Sequence, residues 1–172
     1  MTFEEFMAAR GQALLRYAVM LTGSRDLALD VSQEALARAA LRWRRISQTD
    51  RPELYVKRML TNEYLNWRRG SWFRRIVLRG EPVTDWQDRP TTVPDHAEDA
   101  VRHDEVWALL AELPRQQRAA LVLRFYESLT DQEIADVLGC KVGTVRGYVS
   151  RALATLRNTV TANDPTRARS AS

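Results

Sequence analysis

Side chains that could contact DNA are concentrated near the C-terminus of the sequence. One short stretch there carries basic and small polar side chains: Lys141, Thr144, Arg146, Ser150 and Arg151. An arginine can donate two hydrogen bonds to a guanine edge or bind a phosphate, and small neighbours let a helix approach the groove closely. The residue types therefore predict a surface that reads duplex DNA.

A helix-turn-helix pattern surrounds this stretch. Thr130 and Glu133 have the spacing of a capping box, which begins a short helix that ends at Gly139. A tight turn and a longer helix from about Thr144 follow. One face of the longer helix is apolar: Val145, Val149, Ala152, Leu153 and Leu156. The alternative is an amphipathic hairpin with solvated arginines, but the coincidence of cap, turn and basic outer face favours DNA binding.

A second group mixes aromatic and basic residues on the third predicted helix. Its members are Tyr55, Lys57, Arg58, Tyr64, Trp67, Arg68 and Arg69. Aromatic rings stack on unpaired bases and arginines hold the backbone, which is the chemistry of single-strand capture. Tyr55 and Trp67 are assigned at least partly to packing.

A third group lies on the second predicted helix. Asp30, Gln33 and Glu34 are spaced i, i+3 and i+4, so they share one face of a helix otherwise rich in alanine and leucine. This polar group predicts a docking surface for a basic protein partner. An ordinary solvated helix face is the alternative.

The elements that carry these groups are predicted to be helices. The 172 residues include only 7 glycines and 6 prolines, and no window shows the alternation of a half-buried strand. A capping box at Thr2 begins the first helix, which ends at Gly23. Its apolar face is Phe6, Leu14, Tyr17, Ala18 and Leu21. The second helix begins near Ser24 or Asp26 and runs to about Arg45, and the third begins after Pro52 and runs to about Gly70.

The C-terminal part is predicted to hold four shorter helices. The first of them ends at Pro114, and the second covers about Arg115 to Tyr126 with three residues facing inward: Leu121, Val122 and Phe125. The helix-turn-helix pair completes the set. The fold class is therefore all-α.

Charge and proline divide the chain into two small helical domains. The net charge is +4, and two basic blocks flank an acidic connector that contains Pro82, Pro90 and Pro94. An extended linker over residues 73–97 is predicted, between domains at 1–72 and 98–160. Residues 161–172 are predicted to be a disordered tail.

Several classes of protein are excluded or disfavoured. Cys140 is the one cysteine, so no intramolecular disulfide can form. Residues 1–10 do not resemble a signal peptide and no apolar run is long enough to span a membrane, so a soluble, cytoplasmic protein is expected. His96 with Asp95 and Asp99 could ligate a metal, but a solvated acidic segment is favoured. No catalytic constellation and no cofactor site is predicted.

Several motifs together resemble the extracytoplasmic-function group of bacterial RNA polymerase sigma factors. They are Asp30 to Glu34, Tyr55 to Asn62 with Trp67 to Arg69, Leu113-Pro114, Thr130 to Ala135 and Gly143 to Arg146. The resemblance covers nearly the whole chain except the linker and tail. It implies a non-enzymatic factor that directs promoter recognition, promoter melting and transcription initiation.

The resemblance also implies roles for the three groups. Asp30, Gln33 and Glu34 would contact the clamp helices of the largest subunit of core RNA polymerase. The loop from about Arg44 to Glu53 and the third helix would capture the melted minus-ten strand, with one base flipped out. The implied contacts are Arg51, Lys57, Arg58, Asn62, Tyr64, Arg68 and Arg69. The helix-turn-helix would read the minus-thirty-five element, the linker would run toward the RNA exit path, and an anti-sigma factor is a possible further partner.

Two positions depart from the family pattern, and two other functions stay open. Tyr55 and Gly147 stand where the family commonly has Trp and Ser. An ordinary helix-turn-helix regulator would self-associate and act without polymerase. A helical protein-interaction module would show no salt-dependent DNA binding, whereas several phosphate contacts make the logarithm of affinity fall steeply with the logarithm of salt concentration.

Overall fold

A computed structural model describes residues 1–79 and 106–162, with the backbone alone between residues 67 and 79. All regular structure in these ranges is helical. The chain divides into two compact units. Helices α1 to α4 build the first unit, and the helices after residue 105 belong mainly to the second.

Helix α1 (Phe3–Thr22) follows the sequence prediction closely. The Glu5 amide donates to Thr2 Oγ1 at 3.2 Å and the Thr2 amide donates to Glu5 Oε2 at 2.7 Å, which confirms the capping box. Gly23 ends the helix with a left-handed φ of 73°. The predicted apolar face is buried along its whole length.

Helix α2 (Arg25–Leu41) ends earlier than predicted. Arg42 leaves the helical region, and a short helix α3 (Trp43–Ile46) follows where the sequence analysis extended α2 to about Arg45. Trp43 packs its ring 4.6 Å from that of Phe6 and donates from Nε1 to the Met1 carbonyl at 3.0 Å. The break at Arg42 turns this large ring inward, so packing overrides the helical pattern.

Helix α4 (Pro52–Arg79) begins at the predicted proline and continues past the expected end near Gly70. One glycine costs about 1 kcal/mol in a helix interior and does not by itself stop the helix. Residues 73–79, predicted as the start of an extended linker, therefore have a helical backbone. Residues 80–105, which include the rest of the predicted linker, lie outside the described residues.

The first unit packs α1 against α2 and α4, and α2 against α4. Tyr17 of α1 is fully buried, and its hydroxyl lies 2.7 Å from Thr61 Oγ1 of α4. This buried hydrogen bond and the apolar faces around it fix the rotation of α4, which decides which of its basic side chains reach solvent.

The second unit begins with helix α5 (106–111) and continues with α6 (Arg115–Leu121). A π-helical turn, Val122–Tyr126, extends α6, and the Glu127 amide donates to the Val122 carbonyl at 3.1 Å. The prediction that Phe125 faces inward is wrong, since its side chain is 63% exposed while Leu123 is fully buried. The i→i+5 bond of a π-turn changes the angle between successive side chains.

Helices α7 (Asp131–Leu138) and α8 (Val142–Ala162) form the predicted helix-turn-helix pair. The Glu133 amide donates to Thr130 Oγ1 at 3.3 Å, and Gly139 adopts a φ of 66° at the turn. Helix α8 begins two residues before the expected Thr144 and buries Val145, Val149 and Ala152. Residues 163–172 of the predicted tail lie outside the described part of the chain.

Candidate nucleic-acid and protein interfaces

The polar group of α2 lies together on one helix, as predicted. Asp30 and Gln33 are exposed and Glu34 is partly exposed. Glu34 Oε1 accepts from Arg38 Nη2 at 2.7 Å, and Arg38 also pairs with Glu63 of α4 at 3.1 Å. Glu34 therefore pairs with an arginine that also links α2 to α4. The side chains of Asp30 and Gln33 are exposed to solvent.

Burial divides the predicted contacts on α4 into two kinds. Arg51, Arg58 and Asn62 are exposed. Lys57 is 8% exposed and Tyr64 is 4% exposed, so neither side chain is available to bind DNA in this conformation. The assignment of these two residues to strand contact is corrected: they lie on the face of α4 that packs against the rest of the unit.

An ion pair with a partly exposed carboxylate explains the position of Lys57. Its Nζ lies 2.8 Å from Glu53 Oε1 and 5.9 Å from the centroid of the Tyr17 ring. Glu53 also pairs with Arg10 of α1 at 3.3 Å. The Glu53 carboxylate and the face of the Tyr17 ring thus both compensate the charge of Lys57, as a nearly buried ammonium requires.

The helical backbone beyond residue 66 continues the exposed face of α4 that carries Arg58 and Asn62. At about 100° per residue, Arg69 has nearly the same angular position as Arg58 and Asn62, whereas Arg68 is displaced from it. The side chains of Arg68 and Arg69 lie outside the described residues, and only their place on the helix is known.

A basic hollow of about 500 Å³ lies where α3 meets α4. Its lining is Leu41, Arg42, Arg44, Arg45, Ile46 and Tyr55. The three arginines are exposed, so the hollow combines positive charge with an aromatic side chain. The sequence analysis placed a loop from about Arg44 to Glu53 here but missed Leu41 and Arg42. Leu41 is 88% exposed and directly precedes the break at Arg42, which no local pattern indicated.

The outer face of α8 carries the predicted DNA-reading side chains. Lys141 in the turn and Arg146, Ser150 and Arg151 on the helix are exposed, and Thr144 is partly exposed. The Arg151 guanidinium lies 5.6 Å from the Tyr148 ring centroid. A Cβ at Gly147 would lie 3.4 Å from Arg151 Nη2, so Arg151 extends back over the glycine toward the start of the helix.

A carboxylate at the start of α7 contacts two arginines. Asp131 Oδ2 accepts from Arg146 Nε at 3.1 Å, and Asp131 Oδ1 pairs with Arg124 Nη2. The side chains of Asp131 and Arg124 are 21% and 32% exposed, against 71% for Arg146. This cluster joins the π-turn, α7 and α8, and the sequence analysis did not identify it.

Cys140 lies in the turn between α7 and α8 and is partly buried. Burial raises the pKa of its thiol by desolvation, which disfavours the thiolate. A raised pKa lowers the reactivity of the thiol at neutral pH.

Within residues 1–79 and 106–162, no helix is long and apolar enough to cross a membrane. Within the same ranges, no group of three or more His, Cys, Asp or Glu side chains is placed to hold a metal ion. The combination of His96 with Asp95 and Asp99 lies outside the described residues.

Comparison with family models gives a match in each half of the chain. Residues 6–74 match the model for Sigma-70 region 2, and residues 103–156 match the model for Sigma-70, region 4. The first match covers most of α1 to α4, and the second covers α5 to most of α8.

Curated relatives match across both halves. The chain is 33% identical over 162 residues to an RNA polymerase sigma-E factor of Streptomyces coelicolor, covering 94% of this chain and 88% of the relative. It is 32% identical over 149 residues to the ECF RNA polymerase sigma factor SigL of Mycobacterium tuberculosis, covering 86% of this chain and 82% of the relative.

Solved structures share the fold. The sigma factor RpoE, in complex with the anti-sigma factor NepR from Bartonella quintana, matches with a TM-score of 0.70 at 20% identity, covering 94% of this chain and 98% of that one. CnrH in complex with the cytosolic domain of CnrY matches with a TM-score of 0.62 at 20% identity, covering 94% and 89%.

Proposed function

The chain belongs to the extracytoplasmic-function group of sigma-70 RNA polymerase sigma factors, and on that premise we propose how its residues divide the work of transcription initiation. The family consists of initiation factors rather than of a known class of enzyme. In our proposal the polymerase performs all the chemistry in the cytoplasm, and this chain selects and opens the promoter. The alternative of an ordinary helix-turn-helix regulator is not favoured.

One observation carries the proposal. A single chain presents an exposed polar group on α2, a basic hollow beside α4 and a helix-turn-helix with a basic outer face, in the order of the two matched regions. An ordinary regulator needs only the last of these. We assign residues 1–72 to polymerase and minus-ten binding, 73–97 to the linker and 98–160 to minus-thirty-five binding.

The basic edge of the first unit is proposed to hold the melted minus-ten strand. Arg51, Arg58 and Asn62 would contact the strand, with Arg68 and Arg69 extending the line along α4. The hollow beside Tyr55 would receive an unstacked base, because an aromatic ring among arginines offers both stacking and phosphate contacts. Lys57 and Tyr64 would act indirectly by holding α4 in place.

The exposed part of the α2 group is proposed to bind core polymerase. Within this group, Asp30 and Gln33 would contribute more to the binding free energy than Glu34, because both side chains are exposed and can be desolvated against a basic partner. Glu34 would contribute less, since its carboxylate already pairs with Arg38.

The outer face of α8 is proposed to enter the major groove at the minus-thirty-five element. Arg146 and Arg151 would contact base edges or phosphates, Thr144 and Ser150 would lie at the surface of the groove, and Lys141 would contact the backbone. An anti-sigma factor is a further proposed partner, because the solved relative from Bartonella quintana is bound to one.

A binding experiment with core polymerase tests the proposal. The chain is labelled with a fluorophore and titrated with purified bacterial core enzyme, and the Asp30→Ala, Gln33→Ala double variant is compared with wild type. We expect the affinity to fall at least about tenfold, since interface residues in a desolvated centre cost about 1 to 2 kcal/mol each when truncated.

A matched control removes an acidic and an amide side chain elsewhere on the same unit. Glu4 and Gln12 of α1 are both exposed. The Glu4→Ala, Gln12→Ala variant should bind core enzyme as wild type does. If wild type does not bind core polymerase while it still binds duplex DNA, the proposal fails and an ordinary regulator takes its place.

A further inference from the structure

The contact between Asp131 and Arg146 bears on how the second unit distinguishes one DNA sequence from another. The two residues are fifteen positions apart and belong to different helices, yet Arg146 Nε donates to Asp131 Oδ2 at 3.1 Å. Arg146 remains 71% exposed, so the contact orients the side chain without burying it.

The atom that Arg146 uses for this contact matters. A guanidinium has five N–H donors in a planar fork, and the bond to Asp131 occupies the Nε–H. The Nη1 and Nη2 nitrogens form the end of the fork, which is the edge that donates two parallel bonds to guanine O6 and N7. Asp131 therefore holds the guanidinium by its side and leaves the base-reading end pointing outward.

The same contact weakens binding to arbitrary phosphates. A carboxylate beside Arg146 offsets part of its positive charge, and sequence-independent binding depends mainly on uncompensated charge that displaces counterions. A flexible arginine could follow any nearby phosphate, whereas a restrained one makes its best contact only where a base presents acceptors in register.

Arg124 completes the arrangement from the inside. It pairs with the other carboxylate oxygen of Asp131 and is half as exposed as Arg146, at 32% against 71%. Arg124 of the π-turn thus restrains the Asp131 side chain, and Asp131 in turn restrains Arg146 near the start of α8. Glu112, which accepts a hydrogen bond from Thr159 near the C-terminal end of α8 at 2.7 Å, offers a suitable control: a carboxylate that contacts α8 far from Arg146.

From this geometry we propose that Asp131 is a positioning residue that sets the base specificity of the helix-turn-helix. It orients Arg146 toward one base pair of the upstream promoter element and lowers the affinity of Arg146 for arbitrary phosphate. The proposal rests on the proposed function of α8 as the helix that reads the minus-thirty-five element.

Transcription from a randomised library tests the proposal. Holoenzyme formed from the full chain and core polymerase transcribes templates whose upstream element is randomised, and sequencing of the transcripts gives a base preference at each position. Variants are Arg146→Gln, Asp131→Asn, the combination of both, and Glu112→Gln as control.

Arg146→Gln should reduce the preference at one position by about tenfold, within the range of a bidentate arginine–guanine contact. Asp131→Asn should reduce the preference at that same position by about three- to tenfold and should have no further effect there in the Arg146→Gln background. Glu112→Gln should keep the base preferences. On a duplex without promoter sequence, Asp131→Asn should bind more tightly than wild type and with a steeper salt dependence.

Three results would overturn the proposal. The first is an Asp131→Asn variant that keeps the preference at the position lost in Arg146→Gln. The second is an equal loss of that preference in Glu112→Gln, which would indicate a general effect of losing a carboxylate that contacts α8. The third is an Arg146→Gln variant with unchanged preferences at every position, which would also remove the proposed reading role of Arg146, whereas the first two leave that role intact.

Discussion

At the scale of single residues, burial decides which basic side chains of α4 can bind a nucleic acid. Lys57 and Arg58 are adjacent, but one is 8% exposed and the other is on the surface. Their neighbours explain the difference: Lys57 faces Glu53 and the Tyr17 ring, and Arg58 faces solvent. A count of positive charges along the helix therefore overestimates its DNA-binding surface.

Substitution of these two neighbours should separate stability from function. Lys57→Ala leaves Glu53 without its closest cation and should lower the free energy of unfolding by about 2 kcal/mol. Arg58→Ala should change stability by less than about 0.5 kcal/mol but weaken binding of the holoenzyme to a pre-melted promoter fork. Urea denaturation and fluorescence anisotropy measure the two quantities. An unstable Arg58→Ala variant, or normal stability after Lys57→Ala, would contradict the assignment.

Replacement of Gly147 on α8 by alanine should stabilise the second unit. A Cβ there would lie 3.4 Å from Arg151 Nη2, an ordinary contact, so Gly147→Ala should leave Arg151 in place. The free energy of unfolding of the second unit should rise by about 1 kcal/mol, because alanine loses less backbone entropy in a helix. Thermal unfolding measures the change, and a lower melting temperature would mean that Arg151 cannot accommodate the methyl group.

Cys140 should react slowly in the folded chain. Burial raises the pKa of its thiol, so the thiolate fraction near pH 8 is smaller than in the unfolded chain. The difference between the folded and unfolded pKa of Cys140 also affects stability. Its contribution favours the folded state at pH values below the unfolded pKa and is lost as the pH rises through the higher folded pKa. Iodoacetamide labelling against pH, with and without urea, checks it. Faster labelling of the folded protein would contradict a raised pKa.

At the scale of elements, the position of Trp43 determines the shape of the turn after α2. Its ring packs against Phe6, its Nε1 donates to the Met1 carbonyl, and it is 8% exposed. The neighbouring Leu41 is 88% exposed. Two large apolar residues within one turn thus have opposite environments.

Alanine substitutions at these two positions should differ in their effect on the free energy of unfolding. Trp43→Ala removes a buried ring and should lower the free energy of unfolding by about 3 kcal/mol. Leu41→Ala should leave stability within about 0.5 kcal/mol of wild type, because its side chain already lies in water. Urea denaturation of both variants checks this, and a similar loss for the two would contradict the described break at Arg42.

The sequence predicted the elements that local chemistry determines. The capping boxes at Thr2 and Thr130 and the turn at Gly139 are short-range signals, and each is present in the structure. The break at Arg42 and the π-turn at Val122–Tyr126 were not predicted, because tertiary packing and an i→i+5 bond produce them.

For the candidate site, the sequence predicted which side chains of α8 are buried or exposed but not the contacts between helices. Helix periodicity placed Val145 inward and Arg146 at the surface of α8, as found. It did not predict that Arg146 pairs with Asp131, since this contact joins two helices and depends on how they pack. Nor did residue type reveal that Lys57 and Tyr64 are buried, because a helix pattern that mixes aromatic and basic residues fits a packed face as well as a binding face.

At the scale of the whole molecule, the two units present different chemistry. The first combines an acidic and amide surface on α2 with a basic hollow beside α4. The second presents a basic helix suited to duplex DNA. In the proposed assignment these three surfaces bind a protein, a single strand and a duplex, which together are the requirements for promoter selection by a polymerase.

Runoff transcription tests this account most directly. Purified bacterial core polymerase, the full chain and a pool of genomic fragments from its own organism are combined, and the transcripts are sequenced. We expect transcripts that depend on the chain, with two shared motifs upstream of their start sites, and a loss of these transcripts with the Asp30→Ala, Gln33→Ala variant but not with Glu4→Ala, Gln12→Ala. Polymerase that gives the same transcripts with and without the chain, although the chain is folded and binds duplex DNA, would contradict the account.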